Sequence, residues 1–309
     1  MSHIKSSLIL TVKNEELTIG DFFNSLSHQT RQPDEIIIVD GGSTDKTCEI
    51  LNSLMSENNK IRLIVQPGAN IAKGRNIAIQ NAANEIIAVT DGGCQLDENW
   101  LKNMLTPFEN DPTIDVVSGW YIPDARNEFE RCIAALTVPQ VNKVLKIKDK
   151  FLPSSRSVAF KKECWKTVGG YPEWLNTAED TLYDLNLMNS NYKFTFKKDA
   201  IVKWRMRTTL KGLFKQYYNY SKGDSEAKLF IKTYLIFYLI YLSGFTMLIV
   251  GYFIPTIWVT LVALTIIYLL IPTVNVLKRS KSIKSIFITP VLVVVIDMAK
   301  IFGYYAGKI

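Results

Sequence analysis

From residue 233 to residue 277 the chain carries no Asp, Glu, Lys, Arg or His. A bilayer's hydrocarbon core takes roughly 20 apolar residues per helix. The stretch is therefore long enough for two spans, at about 233–252 and 255–276, broken near Gly251 and Pro255. Residues 285–306 form a candidate third membrane segment, interrupted by Asp297 and Lys300. These two stand three apart and can pair on a helix. Charge at bilayer depth is costly, so the segment reads as a tilted span, a re-entrant piece or an interfacial helix.

The net charge of +7 is placed around these spans. Lys197, Lys198, Lys203, Arg205, Arg207, Lys211, Lys215 and Lys222 precede them, and Lys278, Arg279, Lys281 and Lys284 follow the second. Positive flanks on one side imply a cytoplasmic side and suit anionic lipid. Membrane lipids, and not nucleic acid, are thus the expected partner of the basic residues. The first residues contain only a short apolar run before Lys13, Glu15 and Glu16, which is not a signal peptide. The expectation is a multi-pass protein of the plasma membrane with residues 1–207 in the cytoplasm. Cys48, Cys94, Cys132 and Cys164 are scattered, with no CxxC pair, so neither a disulfide framework nor a zinc site is expected.

Residues 208–230 place Leu210, Leu213, Phe214, Tyr217 and Tyr218 at helical spacing, with Lys211, Lys215 and Lys222 elsewhere. That pattern predicts an amphipathic helix, lying in the interface or packed under the preceding domain. The domain reading is then 1–207, a catalytic α/β unit; 208–230, the interface helix; and 231–309, the membrane region.

Within 1–207, apolar runs at 7–12, 36–39, 61–65 and 86–89 alternate with helical patterns at 17–27, 46–55 and 75–83. Such alternation implies crossover connections and a mostly parallel, Rossmann-like sheet. The polar loops after the first, second and fourth runs gather on one sheet edge, where an α/β fold binds a nucleotide. The fourth run stops at Asp91, and Gly92 and Gly93 let the backbone come close to what Asp91 holds. An acid and two glycines at a strand's carboxyl end suit a metal-bound phosphate or sugar; taken alone they also suit a plain turn. In 40-DGGSTD-45, Ser43 or Thr44 is the expected helix N-cap, with Asp45 in the first turn where the dipole favours a carboxylate.

The segments TVKNE (11–15), IIIVDGGSTDKT (36–47), KGRNIAI (73–79), AVTDGGC (88–94), VGGYPE (168–173) and AEDTLYDLNL (178–187) follow one another in this order. Together they resemble the family 2 inverting glycosyltransferases over about residues 5–220. The resemblance implies the glycosyltransferase A fold, a nucleotide-diphosphate sugar as donor and usually Mg2+ or Mn2+. It places Thr11, Val12, Lys13, Asn14 and Glu15 beside the base and ribose, with Asp40, Gly41 and Ser43 as further nucleotide contacts. Many relatives have two consecutive acids where this chain has Asp40 and Gly41. Lys73 and Arg75, in a glycine-punctuated loop entering a helix, are candidate donors to the diphosphate.

Asp91 fits the first acid of the family's Asp-X-Asp signature, whereas the third position is Gly93. One carboxylate with diphosphate oxygens and waters can hold the metal; the alternative is metal-free neutralisation by Lys73, Arg75, Arg205 or Arg207. Asp97 reads as a helix cap near Asn99. Inverting transfer needs a base for the acceptor hydroxyl, and positive charge for the leaving diphosphate. Glu179 and Asp180 match the family's acidic pair, with Asp180 as base and Glu179 binding acceptor or orienting it; acids at a helix start are the plainer reading. Gly92, Gly93, Arg156, Trp204, Arg205 and Arg207 are candidates for the diphosphate and acceptor. Loops such as 120–131 are expected to distinguish hexoses.

Processive relatives carry Gln-X-X-Arg-Trp after this point, and Gln216 is not followed by that pair. One sugar per encounter is therefore expected, passed to a lipid-linked or glycan acceptor in cell-surface polysaccharide or glycolipid synthesis. The alternatives are a polyprenyl-phosphate sugar synthase and a non-catalytic nucleotide-sugar-binding scaffold.

Overall fold

The computed structural model describes residues 4–308, without the side chains of 148–150. It divides into a unit of 1–124 with 140–205 and a unit of 125–139 with 206–309. The first unit is built on eight strands: β1 (Ser6–Val12), β2 (Glu35–Asp40), β3 (Ile61–Val65), β4 (Ile86–Val89), β5 (Cys94–Leu96), β6 (Val116–Asp124), β7 (Val158–Lys161) and β8 (Phe194–Arg205). They form one mixed, mostly parallel sheet in the order β3-β2-β1-β4-β7-β6-β8-β5. β1 to β4 are mutually parallel, β7 runs against β4 and β6, and β5 runs against β8.

The helices in chain order are α1 (Ile19–Ser27), α2 (Thr47–Glu57), α3 (Ile71–Asn81), α4 (Trp100–Asn110), α5 (Glu128–Thr137), α6 (Val141–Val144), α7 (Lys162–Thr167), α8 (Glu179–Asn189), α9 (Leu210–Glu226), α10 (Ile231–Phe253), α11 (Thr256–Ser280) and α12 (Ser285–Ala306). Of these α5 and α9 to α12 belong to the second unit. Helices cover both faces of the sheet, which is why β1, β2 and β4 are apolar without alternation. Leu8 and Leu10 of β1 pack with Phe22, Trp100 and Met104 on one face. Ile9 packs with Ile79, Phe160 and Tyr183 on the other.

Several local expectations are corrected. The helix expected at 75–83 starts at Ile71, because the Asn70 side chain accepts from Lys73 N and caps it. Lys73 and Arg75 are thus helical, and no loop precedes them at 73–75. Gly74 lies inside α3 because a Cβ there would stand 2.6 Å from Thr11 Cγ2, so the glycine lets α3 press on β1. Neither Ser43 nor Thr44 caps α2; Asp45 Oδ1 accepts from Thr47 N at 3.0 Å and from its hydroxyl at 2.5 Å. The 120–131 region is no loop either. It is the end of β6 and the start of α5, and Gly119, where a Cβ would overlap Ser157 Oγ, marks a register shift between β6 and β8.

In the second unit α10, α11 and α12 are each long and apolar enough to cross a membrane. α9 begins at Thr209, whose side chain accepts from Gly212 N. It lies along α12 at close range, since Gly303 and Gly307 face the backbone carbonyls of Tyr218 and Lys222 with no room for a Cβ. Arg279, at the end of α11, donates to the carbonyls of Ala135 and Val138 at the end of α5. Asp297 and Lys300 form no direct ion pair. Asp297 accepts from the hydroxyls of Tyr241 and Tyr268, and the Lys300 ammonium lies over the Phe237 and Tyr217 rings.

Candidate active site

The loops after β1 and β2 are tied together before any ligand is considered. Asn14 sits in the left-handed region, with φ +58°. Its amide donates to Ser43 Oγ and its side-chain oxygen accepts from Thr44 N, each at 2.8 Å. Glu15 N donates to Thr47 Oγ1 at 2.8 Å. Asp40 is fully buried and accepts from Gly42 N, Ser43 N and Ser43 Oγ. A Cβ at Gly41 would stand 2.8 Å from Ala69 O, so the second acid found in many relatives has no room here. These residues frame an open cavity of about 440 Å³, lined by Thr11, Val12, Lys13, Glu15, Gly41 and Asn70 among others. The cavity lies at the carboxyl ends of β1 and β2, next to the β1–β4 neighbourhood where the strand order reverses, the position that receives nucleotides in such sheets.

A buried cation joins the next two motifs. Arg75, on the second turn of α3, is 2% exposed. Its Nη1 donates to Glu179 Oε1 at 2.7 Å and its Nη2 to Asp91 Oδ1 at 3.0 Å, with the guanidinium 5.3 Å from the Tyr171 ring centroid. The fork geometry of arginine is what allows two carboxylates from distant segments to share one charge. Asn76, the next residue of α3, fixes the VGGYPE segment. It donates to Tyr171 O and Glu173 Oε1, and accepts from Tyr171 N and Trp165 Nε1. Gly170, at φ +79°, leaves space for that arrangement, because a Cβ would stand 2.8 Å from Asn76 Oδ1. α3 therefore holds the segment that leads to the acidic pair at the start of α8.

Burial beside Asp180 pushes the Glu179 carboxyl up to about 7, despite the opposing pull of Arg75. Asp180 is half-buried, and its Oδ1 accepts from the Thr181 amide at 2.8 Å. Asp184, one turn further on, is buried, and its carboxyl is raised well above the usual range by desolvation and by Asp180. Arg156 packs on the other side of Asp91: its Nε stands 3.9 Å from Asp91 Oδ2, and its guanidinium lies 4.0 Å over the Trp204 ring and 5.5 Å from that of Tyr121. Arg205 donates to Asp124 O at 2.9 Å. Lys73 is exposed on α3. Arg207 lies in the second unit, where its Nε donates to Gln216 Oε1 at 3.2 Å.

Among the described residues no three His, Cys, Asp or Glu side chains converge as a ready-made metal cage. Partial provision is visible. Gly92 packs on Val12, and a Cβ on Gly93 would stand 3.8 Å from Glu15 Oε2, so a carboxylate from the first loop faces the position of the missing acid. Asp91 and Glu15 carry oxygen atoms of the kind that Mg2+ and Mn2+ prefer as ligands. Cys94 is buried against β8 and its thiol is pushed up to about 12 by desolvation and Asp91, so it offers no thiolate.

Asn70 and Asn176 of the cavity wall, Tyr171 under Arg75 and the buried Asp184 were not expected from the sequence. GGYPE marks Tyr171 only as part of a motif, and no local signal separates Asn70 from an ordinary helix cap.

Residues 7–163 match the family model "Glycosyl transferase family 2", and residues 86–291 match "Glycosyl transferase family group 2". The chain belongs to glycosyl transferase family 2 and is a glycosyltransferase. An O-antigen chain rhamnosyltransferase of Salmonella typhimurium is 26% identical over 228 residues, which cover 70% of this chain and 71% of that protein. Among solved structures, a mannosyltransferase from Pyrobaculum calidifontis in complex with GDP-Man and Mn2+ superposes with a TM-score of 0.58 at 20% identity, over 72% of this chain and 63% of that one. S. aureus TarS 1-349 in complex with UDP-GlcNAc superposes with a TM-score of 0.53 at 20% identity, over 71% and 66%. The chain thus spans somewhat less than two thirds of each of these solved chains, and at such identity the likeness carries the fold, glycosyltransferase A, alone.

Proposed function

We propose that this protein transfers one sugar per encounter, with inversion, from a nucleotide-diphosphate sugar to a lipid-linked acceptor on the cytoplasmic face of the membrane, in the synthesis of a surface polysaccharide or glycolipid. The observation that carries the site is Arg75: one buried guanidinium holds Asp91, just past the end of β4, and Glu179, the neighbour of Asp180. The rhamnosyltransferase relative acts on O-antigen, which supports a surface polysaccharide. The three apolar helices support a membrane-held acceptor.

The nucleoside occupies the cavity lined by Thr11, Lys13 and Glu15, and the diphosphate points to Asp91. When bound, Mg2+ or Mn2+, held by Asp91 with Glu15, supplies positive charge to the leaving diphosphate. Lys73, Arg156 and Arg205 share that task. Asp180 takes the proton of the acceptor hydroxyl as its oxygen bonds the anomeric carbon; the bond from that carbon to the diphosphate oxygen breaks, and the nucleoside diphosphate leaves with the electron pair. Glu179, fixed by Arg75, positions Asp180.

Asp180→Asn keeps the shape of the side chain and removes the base. Sugar transfer should fall by at least about 100-fold, the lower end of general-base contributions, while the thermal shift caused by nucleoside diphosphate stays at the wild-type value. Retained transfer in the variant would remove Asp180 from the mechanism.

A further inference from the structure

α10 and α11 are joined through Ile254 and Pro255 alone, so two spans built from them run in opposite directions. α12 meets α10 in falling order: the rings of Tyr234 and Tyr304 stack at 4.0 Å, Tyr238 donates to Ile301 O at 2.8 Å, and Tyr241 donates to Asp297 at 3.0 Å. It also meets α11 in falling order, from Ser285 just after Ser280 to Asp297 accepting from Tyr268 at 2.5 Å. No helix runs antiparallel to two helices that are antiparallel to each other. α12 therefore lies across the hairpin at Asp297, beside α9, with its two ends near the hairpin ends at Ile231 and Ser280.

At this crossing is a cavity of about 570 Å³ with walls from Phe237, Tyr268, Ile271, Val293 and Ile296. Lys300 lines it too. Its ammonium lies 4.8 Å from the Phe237 ring centroid and 5.7 Å from that of Tyr217, and among the described residues it has neither a hydrogen bond nor an ion pair. Asp297 also lines the cavity, but its carboxylate is taken by the two tyrosine hydroxyls. A lysine among apolar helices is costly unless an anion meets it; Asp297 and Asp224 act on Lys300 only through space, and among the described residues no carboxylate forms an ion pair with it.

We propose that this cavity binds the phosphate-bearing end of a single-chain isoprenoid lipid, the anchor of the acceptor, with Lys300 at the phosphate and the chain along Phe237, Ile271 and Val293. The assignment rests on the lipid-linked acceptor of the preceding section. A phosphate on an apolar tail matches one unpaired ammonium set in apolar walls, and the crossing helix keeps it at the end of the hairpin where residue 231 enters.

The test is native mass spectrometry of the full chain in detergent with geranylgeranyl phosphate, geranylgeraniol or dioleoyl-phosphatidylglycerol. The phosphate ester should bind at least 10-fold more tightly than the alcohol, and phosphatidylglycerol should not displace it. Lys300→Met should lose that preference and Lys300→Arg should keep it, with the nucleoside-diphosphate thermal shift unchanged in both. Equal binding of ester and alcohol to the wild-type chain, which needs no variant, overturns the proposal. So does displacement by phosphatidylglycerol, which would make the cavity a site for bulk lipid. Lys300-dependent binding without transfer to any lipid-linked sugar would overturn the acceptor reading and leave the site. Transfer with an acceptor KM unmoved by Lys300→Met would do the reverse.

Discussion

Two carboxyls side by side at the start of α8 differ in burial, Glu179 being buried and Asp180 half-buried. Glu179 is buried and raised to about 7, whereas its ordinary value lies near 4.5. In the unfolded chain it releases its proton near the ordinary value; in the folded chain it keeps the proton until about 7. Between those pH values the folded state binds more protons, so its stability falls as pH rises, and the loss is complete above about 7. Glu179→Gln cannot titrate. Denaturant unfolding from pH 4.5 to 7.5 should show the wild type losing stability relative to Glu179→Gln as pH rises, with a plateau above about 7. A constant difference across the range would mean that Arg75 holds Glu179 ionised throughout. The positions of Asp91 just past a strand and of Asp180 at a helix start were legible from their motifs. The place of Arg75 was not: as a cation near a glycine it reads as a phosphate ligand, and only the fold, by bringing residue 179 to residue 75, reveals two carboxylates closing on it.

At the scale of elements, the contact between α3 and β1 sets how near Arg75 comes to the sheet edge. Gly74→Ala should gain about 1 kcal/mol of helix propensity. It also drives a methyl to within 2.6 Å of Thr11 Cγ2, a kind of overpacking that costs about 1–3 kcal/mol. We expect net destabilisation in denaturant unfolding, recovered in large part by Thr11→Ser, which removes the opposing methyl. The first four strands and three helices could be read from period and punctuation because each is continuous in sequence and covered on both sides. β5 could not: it is three residues long and owes its existence to pairing with β8, more than a hundred residues away. α5 was missed for a related reason, since its apolar face is matched to helices of the second unit and not to the sheet that flanks it in sequence.

For the whole molecule, the split of the chain between its two units has a temporal meaning. α5 is made between β6 and α6, both of the first unit, yet its last carbonyls, those of Ala135 and Val138, are closed by Arg279, 144 and 141 residues further on. At 5–20 residues per second, a nascent chain holds α5 without that partner for about 7–30 s. Cys132, Ile133, Ala134 and Ala135, all buried in the finished protein, are then open to the ribosome's surroundings. A chain stopped after Arg207 never receives its partner helices. It should be recovered by size-exclusion chromatography mainly as aggregate, whereas Ile133→Ser in the same shortened chain should shift material toward monomer. The apolar C-terminal helices, on this view, act as a late-arriving chaperone in cis for a segment synthesised long before them.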